Sequence, residues 1–178
     1  VDRARCSRQC RCIDDSASGI TGKPEPRLDR LMAAAPLGLE RDFVIVAGDD
    51  RILMVSFYQH PFYPEGGSTS NAANLNLPVP AYTKGMDIRE LIEMMWIPRL
   101  ESFKPELIFI SAGFDAHRED DMGQLGLVEQ DYAWITHRLK EVAKRFCNGR
   151  IVSCLEGGYS LSSLARSVEA HLRVLADV

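Results

Sequence analysis

The chain has 178 residues and five cysteines, with 46% hydrophobic residues, 26% charged residues and a formal net charge of -4. This length suffices for one domain with a sizeable core, and the acidic balance argues against a mainly electrostatic nucleic-acid binder. No stretch approaches the roughly 18 apolar residues of a membrane span, and the Arg-rich start lacks the apolar core of a secretory signal. We therefore expect a cytoplasmic globular protein with reduced, buried thiols, no membrane partner and no direct nucleic-acid binding.

Residues 1–41 differ in composition from the remainder and are predicted to form an atypical, poorly ordered segment. Cys6, Cys10 and Cys12 alternate with arginines there, which raises the alternative of a metal knuckle. No second Cys/His pair follows at zinc-finger spacing, so the disordered segment is favoured. A short helix is predicted within residues 28–39, where an internal proline and glycine limit its length.

From residue 42 onward, apolar runs alternate with stretches of helical periodicity. In the helix predicted over residues 86–103, Pro98 should produce a bend or a break. A polar loop is expected up to Asn76. Repetition of strand and helix predicts a parallel, right-handed α/β layer, so the ends of the three predicted strands should lie side by side along one edge of the sheet. The predicted strands cover 52–57, 107–111 and 151–155, and the predicted helices cover 86–103, 129–146 and 161–176.

Asp115 is the first candidate site residue, because it follows the apolar run 107–110 through a glycine. Ligands of open α/β sheets bind beyond the carboxyl ends of parallel strands. His117 lies two residues further on, so in an extended segment both side chains would point the same way and could bind zinc, with His60 as a remote third ligand. The alternative is that Asp115 merely caps the following turn.

Gly157 and Gly158 follow the last predicted strand and would let the backbone approach a ligand closely. The hydroxyl of Tyr159 could then donate to a developing oxyanion, or the three residues could form only a tight turn with the tyrosine packed on a helix. The aromatic, proline-rich stretch 58–67 is interpreted either as a rigid pocket wall or as a loop packed on the sheet.

Three segments, Val55–Pro64, Ser111–Leu127 and Leu155–Tyr159, together resemble the histone deacetylase family and occur in the family's order. The resemblance covers about residues 44–178 and is greatest to class II-like deacetylases and acetylpolyamine amidohydrolases. It implies an arginase-like three-layer α/β/α sandwich around a parallel sheet. It also implies hydrolysis of acetylated lysine or acetylpolyamine substrates by zinc-bound water.

The resemblance assigns roles to individual residues. Asp115 matches the family's zinc-ligand aspartate, and Tyr159 matches the tyrosine that polarises the amide carbonyl and stabilises the oxyanion. His117 is not a zinc ligand in the family, so its implied role becomes a supporting or a surface one. The implied acyl-tunnel and substrate-binding residues are Gly157, Gly158, Phe62 and Tyr63, and the implied structural potassium site consists of Ser56 and the Phe57 carbonyl.

Two segments that the family carries are absent, since no histidine precedes His60. These are an Asp-x-His zinc-ligand pair and a His-His pair that supplies the general base. We therefore predict a fold that is incomplete at its N-terminal side, with weak or no zinc binding and negligible deacetylase activity of this chain alone. The composition of the first 40 residues suggests a truncation, rearrangement or out-of-frame reading joined near Asp42. The alternative function is an inactive remnant or interaction module that self-associates through an exposed sheet edge.

Overall fold

The computed structural model describes residues 30–35, 49–62 and 70–178. Within these residues one five-stranded sheet has the order β3-β2-β1-β4-β5, and every neighbouring pair of strands is parallel. This arrangement confirms the predicted parallel α/β fold. The strands are β1 (Leu31–Ala35), β2 (Ile52–Gln59), β3 (Asn74–Val79), β4 (Leu107–Ala112) and β5 (Ile151–Leu155).

Strand β1 corrects the prediction of a short helix within residues 28–39. The backbone of β1 pairs with β2 on one side and with β4 on the other, so Leu31 lies opposite both Ile52 and Leu107. Two parallel partners satisfy the backbone hydrogen bonds of the segment, and this tertiary pairing overrides its local helical preference. Apart from residues 30–35, the atypical segment 1–41 and its three cysteines lie outside the described residues.

Strand β3 was expected to be loop up to Asn76. It pairs in parallel with β2, and the side chains of Asn74 and Asn76 are buried. Within the described residues β3 is an edge strand, and Pro78, which is exposed, is a residue that edge strands tolerate. A strand is recognised in a sequence by the alternation of apolar and polar residues, and the buried asparagines of β3 break that pattern, so the strand was not predicted.

The helices largely follow the predictions. The helix predicted over 86–103 is interrupted by a π-helical turn at Ile92–Trp96 and not by a break at Pro98. Pro98 lies in the first turn of the next helix, where its missing N–H is tolerated. Of the helices in the described ranges, none is long and apolar enough to cross a membrane. The helices are α1 (Gly85–Leu91), α2 (Ile97–Phe103), α3 (Glu129–Phe146) and α4 (Leu161–Ala176).

The hydrophobic core lies between one face of the sheet and these helices. Phe57 of β2 and Trp96 of the π-helical turn are both about 1% exposed, and their rings pack with centroids 5.8 Å apart. Ile108 of β4 and Leu139 of α3 belong to the same buried cluster. The described residues therefore provide the sheet and one helical layer, and the second helical layer of the predicted sandwich is not among them.

Strand β5 is the edge of the sheet within the described residues, because it pairs only with β4. Val152 is 44% exposed and Leu155 is 62% exposed. The thiol of Cys147 is buried as predicted, but the prediction that Cys154 is buried is wrong. An apolar run has the same composition whether its side chains are covered or exposed, and only the tertiary structure decides which faces of a strand another layer covers.

Candidate active site at the ends of strands β4 and β5

The segments that follow β4 and β5 meet at one edge of the sheet. The backbone N–H of Phe114 donates to the carbonyl of Gly157 at 2.9 Å, and the N–H of Glu156 donates to the carbonyl of Ala112 at 3.0 Å. Because β4 and β5 are parallel neighbours, these bonds continue their ladder into the loops. The structure therefore places the segment that carries Asp115 beside the segment that carries Gly157, Gly158 and Tyr159.

Gly157 lies directly against the carboxylate of Asp115. A Cβ atom placed on Gly157 would lie 2.6 Å from Oδ2 of Asp115, well inside van der Waals contact. Gly158 has a φ of 133°, a backbone conformation that other L-residues rarely adopt. The two glycines are thus required for different reasons, the first for space beside the carboxylate and the second for backbone conformation.

The carboxyl group of Asp115 is held in an unfavourable environment for a charge. Burial raises its pKa from 3.8 to about 6, and the negative charge of Asp120 acts in the same direction. Oδ1 of Asp115 is buried and has no hydrogen-bond partner among the described residues. A buried, unpartnered carboxylate oxygen is costly, and a cation is one group that would compensate its charge.

His117 does not join Asp115 in a ligand pair. Its ring is about 1% exposed and stacks on Tyr132, with centroids 6.5 Å apart. Its Nδ1 accepts the backbone N–H of Glu119 at 3.1 Å, while Nε2 lies 3.5 Å from Oε1 of Glu129. The surface role considered for His117 is therefore wrong, and its contacts support the loop that carries Asp115.

Asp115, His117 and His60 do not assemble into a metal site. Across residues 30–35, 49–62 and 70–178, no group of three or more His, Cys, Asp or Glu side chains is placed to hold a metal ion. A catalytic zinc ion takes three protein ligands and keeps one position open for water. The described residues alone therefore do not fit a catalytic zinc ion, although Asp115 has the free oxygen that a ligand needs.

Asp120 was not among the site residues predicted from the sequence. Its side chain is buried, and its Oδ2 accepts the backbone N–H groups of Tyr159 at 2.6 Å and Ser160 at 3.1 Å. Its Oδ1 accepts the N–H of Met122 at 2.9 Å. The ring of Tyr159 itself is 60% exposed, so hydrogen bonds to its backbone, more than side-chain packing, hold this residue.

A series of buried hydrogen bonds supports the segment that carries Asp115. The hydroxyl of Tyr132 donates to the carbonyl of Phe114 at 3.0 Å, and burial raises the pKa of Tyr132 well above its usual value. The hydroxyl of Thr136 donates to the carbonyl of Tyr132, so it accepts from Nδ1 of His171 at 2.7 Å. Nε2 of His171 then accepts from the hydroxyl of Ser153 at 2.9 Å, and burial lowers the pKa of His171, which favours the neutral ring.

The candidate residues on β2 lie farther from Asp115 than predicted, because β1 separates β2 from β4. The buried hydroxyl of Ser56 donates to Oδ1 of Asn76 at 3.1 Å, and the ring of Phe57 belongs to the core. Phe62 is 42% exposed, whereas Tyr63 lies outside the described residues. The expectation that three strand ends lie directly side by side holds for β4 and β5 but not for β2.

Two glutamines connect the end of β2 with the loop that follows β4. The side-chain amide of Gln59 donates to Oε1 of Gln124 at 3.1 Å, and the backbone N–H of Gln124 donates to Oε1 of Gln59 at 2.8 Å. The carbonyl of Gln124 also accepts the N–H of Tyr82, which follows β3. Hydrogen bonds thus link the end of β2 and the loops that follow β3 and β4 at the carboxyl edge of the sheet.

Comparison with known proteins adds independent information about this arrangement. The family model described as "Histone deacetylase domain" matches residues 43–175. The chain is 38% identical over 150 residues to type-2 histone deacetylase 2 of Dictyostelium discoideum, covering 75% of this chain and 9% of that protein. It is 36% identical over 134 residues to the chloroplastic histone deacetylase 14 of Arabidopsis thaliana, covering 71% of this chain and 32% of that protein.

Solved structures show the same likeness in three dimensions. The crystal structure of the HDA15 HD domain superposes with a TM-score of 0.78 at 26% sequence identity, covering 84% of this chain and 45% of that chain. The histone deacetylase Clr3 superposes with a TM-score of 0.76 at 25% identity, covering 85% of this chain and 27% of that chain. The chain therefore spans less than half the length of each of these proteins.

Proposed function

The chain belongs to the histone deacetylase family, and on that premise we propose that it carries part of a zinc-dependent amidohydrolase site for acetyl amides of lysine or of polyamines. The observation that carries this proposal is the carboxylate of Asp115, whose buried Oδ1 has no hydrogen-bond partner among the described residues. A side chain in this state, at the carboxyl edge of a parallel sheet and against a glycine backbone, suits a cation ligand.

Each predicted site residue has a role in this proposal. Asp115 is one zinc ligand, and the exposed Tyr159 presents its hydroxyl to the substrate carbonyl. Gly157 and Gly158 are proposed to line the acyl tunnel, Gly157 directly beside the carboxylate and Gly158 through a backbone conformation that other residues rarely adopt. Phe62 and Tyr63 are proposed as walls of the substrate tunnel, and Ser56 with the Phe57 carbonyl is proposed as a potassium site.

For this chain alone we expect weak zinc binding and negligible hydrolysis. One carboxylate is a poor zinc site, and the described residues add no second and third ligand. We also place the protein in the cytoplasm, a location that the free thiols of Cys147 and Cys154 support. The chemistry of the family therefore depends on ligands that the described residues do not supply.

A second function, that of an inactive interaction module, is favoured by the exposed edge of β5. Val152 and Leu155 present apolar side chains beside backbone groups that, among the described residues, have a strand neighbour on one side only. Such an edge pairs readily with another strand, so self-association is expected. Sedimentation velocity should detect it, and Val152→Lys should reduce it more than Leu172→Lys, which removes an exposed apolar side chain from helix α4.

Zinc content and turnover test the first proposal and separate it from the second. Purified chain is titrated with zinc against a chromogenic chelator and incubated with an acetyl-lysine peptide and with an acetylpolyamine. We expect weak zinc binding that Asp115→Asn abolishes and that Asp121→Asn, a change at an exposed neighbour, leaves intact. Stoichiometric zinc with turnover would contradict the predicted inactivity, and zinc binding that survives Asp115→Asn would contradict the ligand assignment.

A further inference from the structure

We propose that Asp120 is a positioning residue that holds the segment 157–160, and with it Tyr159, opposite Asp115. The carboxylate of Asp120 lies on the segment after β4, yet its Oδ2 accepts backbone N–H groups from the segment after β5. One side chain thus connects the two loops that form the candidate site. Only the consequence for catalysis depends on the proposed function, because the connection itself needs neither metal nor substrate.

The hydrogen bonds of Asp120 are well suited to this role. Its two oxygens accept three backbone N–H groups, from Met122 on its own loop and from Tyr159 and Ser160 on the other, at 2.6–3.1 Å. The side chain is 5% exposed, so water competes little for these bonds. Hydrogen bonds from N–H groups to an ionised carboxylate are about twice as strong as neutral ones.

Apart from the hydrogen bonds that helix α4 donates to the carbonyl of Ser160, few other interactions restrain the segment that Asp120 holds. The ring of Tyr159 is 60% exposed, and the two residues before it are glycines. Ser160 is the N-cap residue of helix α4, but its side chain makes no capping hydrogen bond. The carboxylate of Asp120 instead lies at this helix end, where a negative charge is favourable. Tyr159 therefore depends on Asp120 and on the bond between Phe114 and Gly157 for its place.

Substitution by asparagine tests this geometry with little change of shape. An asparagine keeps one acceptor oxygen, so its NH2 group must face either the N–H of Met122 or the N–H groups of Tyr159 and Ser160. Either orientation sets donor against donor and breaks part of the connection. Asp121→Asn is the matched control, since it removes the same charge from an exposed neighbour.

The experiment is amide NMR with hydrogen exchange on the metal-free full chain. In Asp120→Ala, which removes both acceptor oxygens, we expect the amide protons of Tyr159 and Ser160 to shift upfield and to exchange at least about tenfold faster relative to the centre of helix α3. In Asp120→Asn the same response should appear either at these two amides or at that of Met122, whereas Asp121→Ala and Asp121→Asn should leave all three unchanged. If all amides of Asp120→Ala lost protection from exchange equally, Asp120 would have only a general stabilising role and the proposal would be overturned. Unchanged amide shifts and exchange rates of Tyr159 and Ser160 in folded Asp120→Ala would overturn it as well. In the unsubstituted chain, fast exchange at both amides would overturn it even if the variant fails to fold.

Discussion

Asparagine at position 115 should stabilise the metal-free protein at neutral pH. The carboxyl group of Asp115 titrates at 3.8 in an ordinary environment, but burial raises its pKa to about 6 in the folded chain. Between these two values the folded state retains a proton that the unfolded state has released. The free energy of unfolding therefore falls as the pH rises from about 4 to about 6, and the loss is complete above that window.

The size of the effect follows from the same two pKa values. A shift of about two units, at about 1.4 kcal/mol per unit, corresponds to roughly 3 kcal/mol of destabilisation once the carboxyl is ionised. The neutral amide of Asp115→Asn resembles the protonated acid and escapes this cost. The variant should thus match the parent chain near pH 4 and exceed it by up to about 3 kcal/mol at pH 7 to 8.

Urea unfolding followed by circular dichroism, with a chelator present and at several pH values, measures this difference. His171, whose pKa is lowered by burial, makes both proteins less stable as the pH falls, and its contribution cancels in the comparison. Asp49→Asn is the control of opposite sign, because hydrogen bonding to Arg51 lowers the pKa of Asp49 to about 2. A difference between parent and Asp115→Asn that does not grow with pH would refute the argument from burial.

Three further predictions concern the surroundings of the site. Gly157→Ala should lower the free energy of unfolding by about 1–3 kcal/mol, since the added methyl group overlaps the neighbouring carboxylate, and unchanged urea stability would exclude that contact. Tyr132→Phe should cost about 1 kcal/mol through its buried hydrogen bond, whereas Tyr82→Phe at an exposed position should cost almost nothing in the same assay. Iodoacetamide should alkylate Cys154 well before Cys147, whose thiol pKa is raised by burial; equal rates in peptide mass mapping would contradict the assigned environments.

The sequence was sufficient to predict those helices and strands whose apolar periodicity and end signals lie within the element itself. The bounds of α3 and α4 were predicted at Glu129–Phe146 and Leu161–Ala176, because apolar residues at helical spacing face one side. The end of α3 was confirmed as well, since Asn148 and Gly149 both have positive φ. Asp115 was found because a glycine and an acid directly follow an apolar strand.

Only the tertiary structure decided which strands are neighbours, and this settled most of the site. The segment of β1 has a local preference for helix and becomes a strand only through its pairing with β2 and β4. Its place between them also separates the residues of β2 from Asp115. The same dependence on tertiary structure holds for Asp120, whose partner Tyr159 lies 39 residues away along the chain. Composition and periodicity record the preferences of short segments, whereas a hydrogen bond between distant loops depends on the order of the strands in the sheet.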